Sequence, residues 1–124
     1  MSKTVLLVDD DQLIREGLAR VLEDKGLKVI QAQNGEEGLR KALEESIDLV
    51  VTDIIMPKAD GLSMLEQLRK DSKGAKIPAI ILSNDDRVEA LNEALQSGVT
   101  TYLSKTILNA DRIAEQIITA LGES

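Results

Sequence analysis

With 124 residues and a formal net charge of −7, the chain has the length of one ordinary domain and lacks the clustered Lys and Arg that hold nucleic-acid phosphates. It has neither cysteine nor histidine, which excludes disulfides, thiolate catalysis, cysteine-ligated metals and the commonest neutral-pH base, so its chemistry must run on carboxylates, hydroxyls and lysines. A single aromatic residue, Tyr102, leaves no set of rings on which bases could stack, and no apolar run approaches the roughly 20 residues of a membrane span.

Met1-Ser2-Lys3-Thr4 leads straight into Val5-Leu6-Leu7-Val8, a run too short for a secretory signal and without its cleavage region. A cytoplasmic location is expected, with one domain over residues 1–124. The first strand, Thr4 to Val8, ends in Asp9-Asp10-Asp11, and a helical stripe of Ile14, Leu18, Val21 and Leu22 follows up to Gly26, which suits a C′ position. A second strand runs from Lys28 to Ala32, and Asn34 with Glu37 forms a capping box ahead of a helix over Glu36 to Glu45. Asp48 to Thr52 is the third strand and delivers Asp53. A helix over Gly61 to Lys70 and a fourth strand, Ile77 to Leu82, come next, the latter ending in Ser83. Asp86 with Glu89 opens a fourth helix striped by Val88, Leu91 and Leu95 and closed by Gly98. The fifth strand, Thr100 to Leu103, is followed by Lys105 and a last helix over Asn109 to Leu121.

Val5-Leu6-Leu7-Val8, Leu49-Val50-Val51 and Ala79-Ile80-Ile81-Leu82 are apolar on successive residues, so both faces of these strands are covered and they belong inside the sheet. The second and fifth strands carry more polar residues and belong at its edges. Strand–helix–strand connections of this length require parallel strands with right-handed crossovers. The expected architecture is α/β: a flavodoxin-like (βα)5 three-layer sandwich around a parallel five-stranded sheet of order 2-1-3-4-5.

In such a sheet ligands bind beyond the carboxyl ends of the strands where strand order reverses, here between the first and third. Asp9, Asp10, Asp53, Ser83 and Lys105 all fall at that rim. Crowded carboxylates repel, and an oxygen-lined, water-accessible rim suits Mg²⁺. A carboxylate nucleophile beside Mg²⁺, a lysine and a hydroxyl is equipment for phosphoryl transfer. Bland roles stand beside these. Asp11 fits a helix cap, Asp60-Gly61 fits a helix start, Ser83 also suits a polar loop, and Tyr102 as an edge-strand tyrosine needs no function.

Taken together, Val8-Asp9-Asp10, Asp53-Ile54-Ile55-Met56-Pro57-Lys58-Ala59-Asp60-Gly61, Leu82-Ser83, Tyr102 and Lys105 resemble the receiver domains of bacterial response regulators over the whole chain. The resemblance implies a cytoplasmic two-component signalling switch with Asp53 as phosphoacceptor and Mg²⁺ as cofactor. Asp10 and Asp53 would ligate the metal, Asp9 would act through a metal-bound water, and Ile55 would offer its backbone carbonyl. Ser83 and Lys105 would contact the phosphoryl oxygens, and Ser83 and Tyr102 would form the switch that remodels a face built from the fourth helix, fifth strand and fifth helix. The implied partners are a sensor histidine kinase or phosphotransfer protein and a downstream protein target, with a monomer or a phosphorylation-promoted dimer. Self-phosphorylation and slow self-dephosphorylation are expected, without turnover of an external substrate.

Three positions depart from the family pattern. Lys105-Thr106 replaces lysine–proline, so a trans bond is expected there; Asn84 stands where a small residue is common; and apolar Ile55 cannot orient an attacking water, which predicts a long-lived phosphoryl-aspartate. Rival readings are a pseudo-receiver that binds partners independently of phosphorylation, an FMN carrier, which the acidic first loop and lack of aromatics disfavour, and an aspartyl-phosphate hydrolase, which lacks a general acid near Asp53.

Overall fold

A computed structural model describes residues 3–53, 61–83, 101–104 and 109–122. In chain order the elements are β1 (Thr4–Val8), α1 (Gln12–Asp24), β2 (Lys28–Ala32), α2 (Gly35–Glu44), β3 (Leu49–Thr52), α3 (Gly61–Arg69), a 3-10 turn (Gly74–Lys76), β4 (Ala79–Ser83), β5 (Thr101–Ser104) and a C-terminal helix (Ala110–Ala120). The five strands pair in parallel in the order β2-β1-β3-β4-β5, with β2 and β5 at the edges as their polar content predicts.

Alternation along the strands sorts their side chains onto two faces. Leu6, Val8, Val50, Ala79 and Ile81 pack with Ala42 of α2 and Met64, Leu65 and Leu68 of α3. Val5, Leu7, Leu49, Val51, Ile80 and Leu82 pack on the other face with Leu18, Ala19 and Leu22 of α1 and Ile113, Ala114 and Ile117 of the C-terminal helix. An interior strand thus feeds two cores, which is why its residues are apolar without interruption.

The helix ends follow local chemistry. The Asp11 and Asn34 carboxylate and amide oxygens accept from the N–H groups of Ile14 at 3.1 Å and Glu37 at 2.8 Å, capping α1 and α2. Gly26, at φ 90°, ends α1 as expected. There its N–H donates to the Glu23 carbonyl and the Leu27 N–H reaches back to the Leu22 carbonyl, while Leu22 and Leu27 share one core.

Several expected boundaries move. Asn34 and Asn109 act as caps, so their helices begin at Gly35 and Ala110. β4 begins at Ala79 rather than Ile77, because the Ile77 N–H closes the 3-10 turn onto the Gly74 carbonyl at 3.2 Å and Pro78 has no N–H for the ladder. β5 runs one residue later than expected. Ile14, assigned to the buried stripe of α1, is 41% exposed. It lies along a groove of about 310 Å³ with Leu13, Gly17, Leu18, Leu82, Ala110 and Ile113. The expected fourth helix, with Asp86, Val88, Glu89, Leu91, Leu95 and Gly98, falls outside the described residues.

Candidate functional site

The order of the sheet reverses at β1, since β2 follows it in sequence on one side and β3 lies on the other. In an open parallel sheet, a point where strand order reverses is where ligands are expected to bind. Val8 is in register with both Ala32 and Thr52, so the next residues, Asp9 and Asp53, reach the rim side by side. Their backbones extend the ladder by one rung. The Asp9 N–H donates to the Ala32 carbonyl at 3.1 Å and the Asp53 N–H to the Val8 carbonyl at 3.0 Å.

Asp9, Asp10 and Asp53 each offer a carboxylate oxygen, and these oxygens lie within 4.8 Å of one another. Asp9 is only 2% exposed, whereas Asp53 is half-buried and Asp10 exposed. The Asp9 Oδ1 accepts from the Asp11 N–H at 2.9 Å, which folds the acidic turn back toward the strand end. Like charges this close repel one another, and an opposite charge between them relieves the repulsion. The donor set is all oxygen, with one carboxylate embedded, one half-buried and one exposed, which matches a hard divalent cation that keeps part of its water shell, such as Mg²⁺.

α3 presses directly on the strand end that carries Asp53. The Thr52 Oγ1 donates to the Asp53 carbonyl at 2.9 Å, and a Cβ placed on Gly61 would collide with that carbonyl oxygen and approach its carbon and the Thr52 Oγ1 to 2.9 Å. Gly61 was expected only to start a helix, and it does so, but it is also the residue that lets α3 close over Asp53. A sequence signal existed: glycine in a helix costs about 1 kcal/mol relative to alanine, so its presence in a first turn points to a close approach. Thr52 and Arg15, whose contacts with the rim are side chain to backbone, drew no attention in the sequence.

The remaining candidates are placed less fully. Ser83 ends β4 in register with Ser104, and Tyr102 sits in β5 opposite Ile81. Lys105 directly follows β5 in sequence. Lys105 and Ile55 lie outside the described residues, as do Asn84 and the Lys105–Thr106 bond. Among the described residues, no helix is long and apolar enough to cross a membrane.

Residues 5–118 match the family described as the response regulator receiver domain. The chain is 39% identical over 105 residues to the response regulator MprA of Mycolicibacterium vanbaalenii, and 37% identical over 113 residues to a gliding motility regulatory protein of Myxococcus xanthus. These matches take in 85% and 91% of this chain but span only 45% and 14% of those proteins. The crystal structure of a CheY-like receiver domain protein from Methanospirillum hungatei superposes with a TM-score of 0.90 at 29% identity, covering 98% of this chain and 95% of that one.

Proposed function

The chain belongs to the response regulator receiver domain family, and on that premise we propose that it is a phosphorylation-dependent signalling switch with Asp53 as its phosphoacceptor. The observation that carries this is the meeting of the Asp9, Asp10 and Asp53 carboxylates within 4.8 Å at the switch point of the sheet. A carboxylate oxygen of Asp53 attacks phosphorus, the bond from phosphorus to the donor's imidazole nitrogen breaks, and an acyl phosphate remains on the chain. The donor is a sensor histidine kinase or a phosphotransfer protein, because this chain has no histidine of its own.

Asp10 and Asp53 would hold Mg²⁺ directly, with Asp9 acting through water and Ile55 through its carbonyl. When bound, the ion would supply positive charge to the phosphoryl oxygens. Among the chain's own groups, Lys105 and Ser83 would neutralise and hydrogen-bond those oxygens. Modification adds about two negative charges and new acceptor oxygens, enough to bias a two-state equilibrium. Ser83 and Tyr102 would relay it to a face made from residues 87–96, β5 and the C-terminal helix, where a downstream protein binds. One domain over residues 1–124, a cytoplasmic setting, and a monomer or phosphorylation-promoted dimer complete the proposal.

Acetyl phosphate with Mg²⁺ is expected to add one phosphoryl mass to the protein, and Asp53→Ala to abolish it. Survival of the adduct in that variant would overturn the assignment. Beryllofluoride with Mg²⁺ separates the proposal from a phosphorylation-independent interaction module, which would not respond.

A further inference from the structure

A second set of contacts reaches the acidic rim from behind. Arg15, half-buried on α1, donates from Nη1 to the Asp9 carbonyl at 2.7 Å and from Nε to the Gln31 Oε1 of β2 at 3.0 Å. Gln31 is held in turn, its main-chain carbonyl accepting from the Lys41 Nζ of α2 at 2.6 Å, and Lys41 pairs with Glu37 at 2.8 Å. The chain of contacts therefore runs from α2 through β2 and α1 to one oxygen at the rim.

That oxygen belongs to the planar peptide joining Asp9 to Asp10. Its plane also carries the Asp10 N–H and sets where the Asp10 Cα begins its exposed side chain. On the other side of Asp9, the N–H is fixed by Ala32. We propose that Arg15 is a positioning residue, a rigid two-donor bracket that orients the Asp9–Asp10 peptide so that the Asp10 carboxylate converges with Asp9 and Asp53 on a divalent cation. This rests on the Mg²⁺-dependent function proposed above.

A bracket and a mere countercharge predict opposite signs. Were Arg15 only a neutralising charge, removing it would leave the rim more negative and tighten Mg²⁺ binding. As a bracket, its removal loosens the site. Lysine keeps the charge but cannot reproduce a planar fork whose two donors sit at fixed separation.

The test uses the full chain, uniformly labelled with ¹⁵N. Mg²⁺ is titrated while the Asp11 and Asp53 amides are followed, and the Asp10 amide is examined without metal. Arg15→Met and Arg15→Lys are each expected to weaken Mg²⁺ binding roughly 10-fold, the low end for groups that orient a metal ligand. Both are expected to move the metal-free Asp10 amide resonance. Gln31→Leu, which leaves α1 intact, is expected to act in the same direction with a smaller loss. Arg20→Met, which removes the same charge from the exposed side of α1, corrects for net charge.

Tighter or unchanged Mg²⁺ binding in Arg15→Met, or wild-type affinity in Arg15→Lys, overturns the bracket. If the wild type takes no Mg²⁺, the proposed function fails, and the metal-free Asp10 amide then decides the role of Arg15 alone: an unmoved resonance in both Arg15 variants overturns it.

Discussion

Both ends of the sheet use charged side chains to tie backbone groups, but only one also gathers like charges together. At the amino ends of the strands, charged side chains tie down backbone groups. The Asp48 Oδ2 accepts from the Thr4 N–H at 2.7 Å, joining the starts of β1 and β3. The Lys73 Nζ donates to the Leu43 and Glu45 carbonyls at 3.1 and 2.6 Å, satisfying the C-terminal end of α2. The Arg69 Nη1 donates to the Gly74 and Ile77 carbonyls at 2.8 and 2.6 Å, and burial pushes its guanidinium below the ordinary value. At the carboxyl ends Arg15 and Lys41 tie backbone carbonyls as well, but three carboxylates are also gathered on one another. One end uses charge to cross-link the fold, and the other also gathers like charges into an all-oxygen set of the kind that suits a hard divalent cation.

Gly61→Ala should produce the largest effect, because it shows that the carboxyl end also depends on tight packing. Its Cβ would strike the Asp53 carbonyl, and overpacking of this kind costs about 3 kcal/mol. Helix propensity alone predicts a gain, smaller at this first helical position than the ~1 kcal/mol of a helix interior, so urea unfolding decides between them by sign. Arg69→Met leaves two carbonyls without their charged donor and is expected to cost about 2 kcal/mol in the same assay. A neutral result would mean that the amino-end ties are ornamental.

Asp10→Asn should act oppositely to Arg69→Met. Relieving like-charge repulsion raises the urea midpoint of the metal-free protein, while Mg²⁺ titration shows weaker binding. Loss of both stability and binding would break the contrast between the two ends.

The smallest effect concerns Glu37. Its hydrogen bond to Lys41 holds its carboxyl below the ordinary 4.5, against the opposing pull of burial. A depressed acid contributes stability above its unfolded value and loses it as pH falls through the folded one. Glu37→Gln should therefore cost about 0.5 kcal/mol at neutral pH. Thermal unfolding of variant and wild type should converge as pH falls through the depressed value of that carboxyl, and a gap that persists in stronger acid would exclude the ion pair as the cause.

What the sequence disclosed was whatever is decided locally or by period. Uninterrupted apolar runs placed β1, β3 and β4 inside the sheet, and Asp11, Asn34 and Gly26 marked helix ends because capping depends on neighbours a few residues away. Asp9, Asp10 and Asp53 could be brought together because strand ends define the rim once the strand order is known. Ile14 was misjudged because helical period tells which residues share a stripe, not how far that stripe remains covered. Arg15 stayed hidden for a different reason: its importance lies in reaching a backbone carbonyl, which leaves no residue-specific mark in a sequence, whereas Gly61 did carry a signal that went unread.

The extra rung of ladder at Asp9 and Asp53 has a mechanical consequence. Main-chain bonds to Ala32 and Val8 fasten both residues to the stiffest layer of the molecule, like posts set in a wall. If Asp53 is modified as proposed, the added charge would act on a main chain already held by the ladder, leaving side chains around it as the freer parts to respond. A rigid anchorage turns a local event into movement elsewhere.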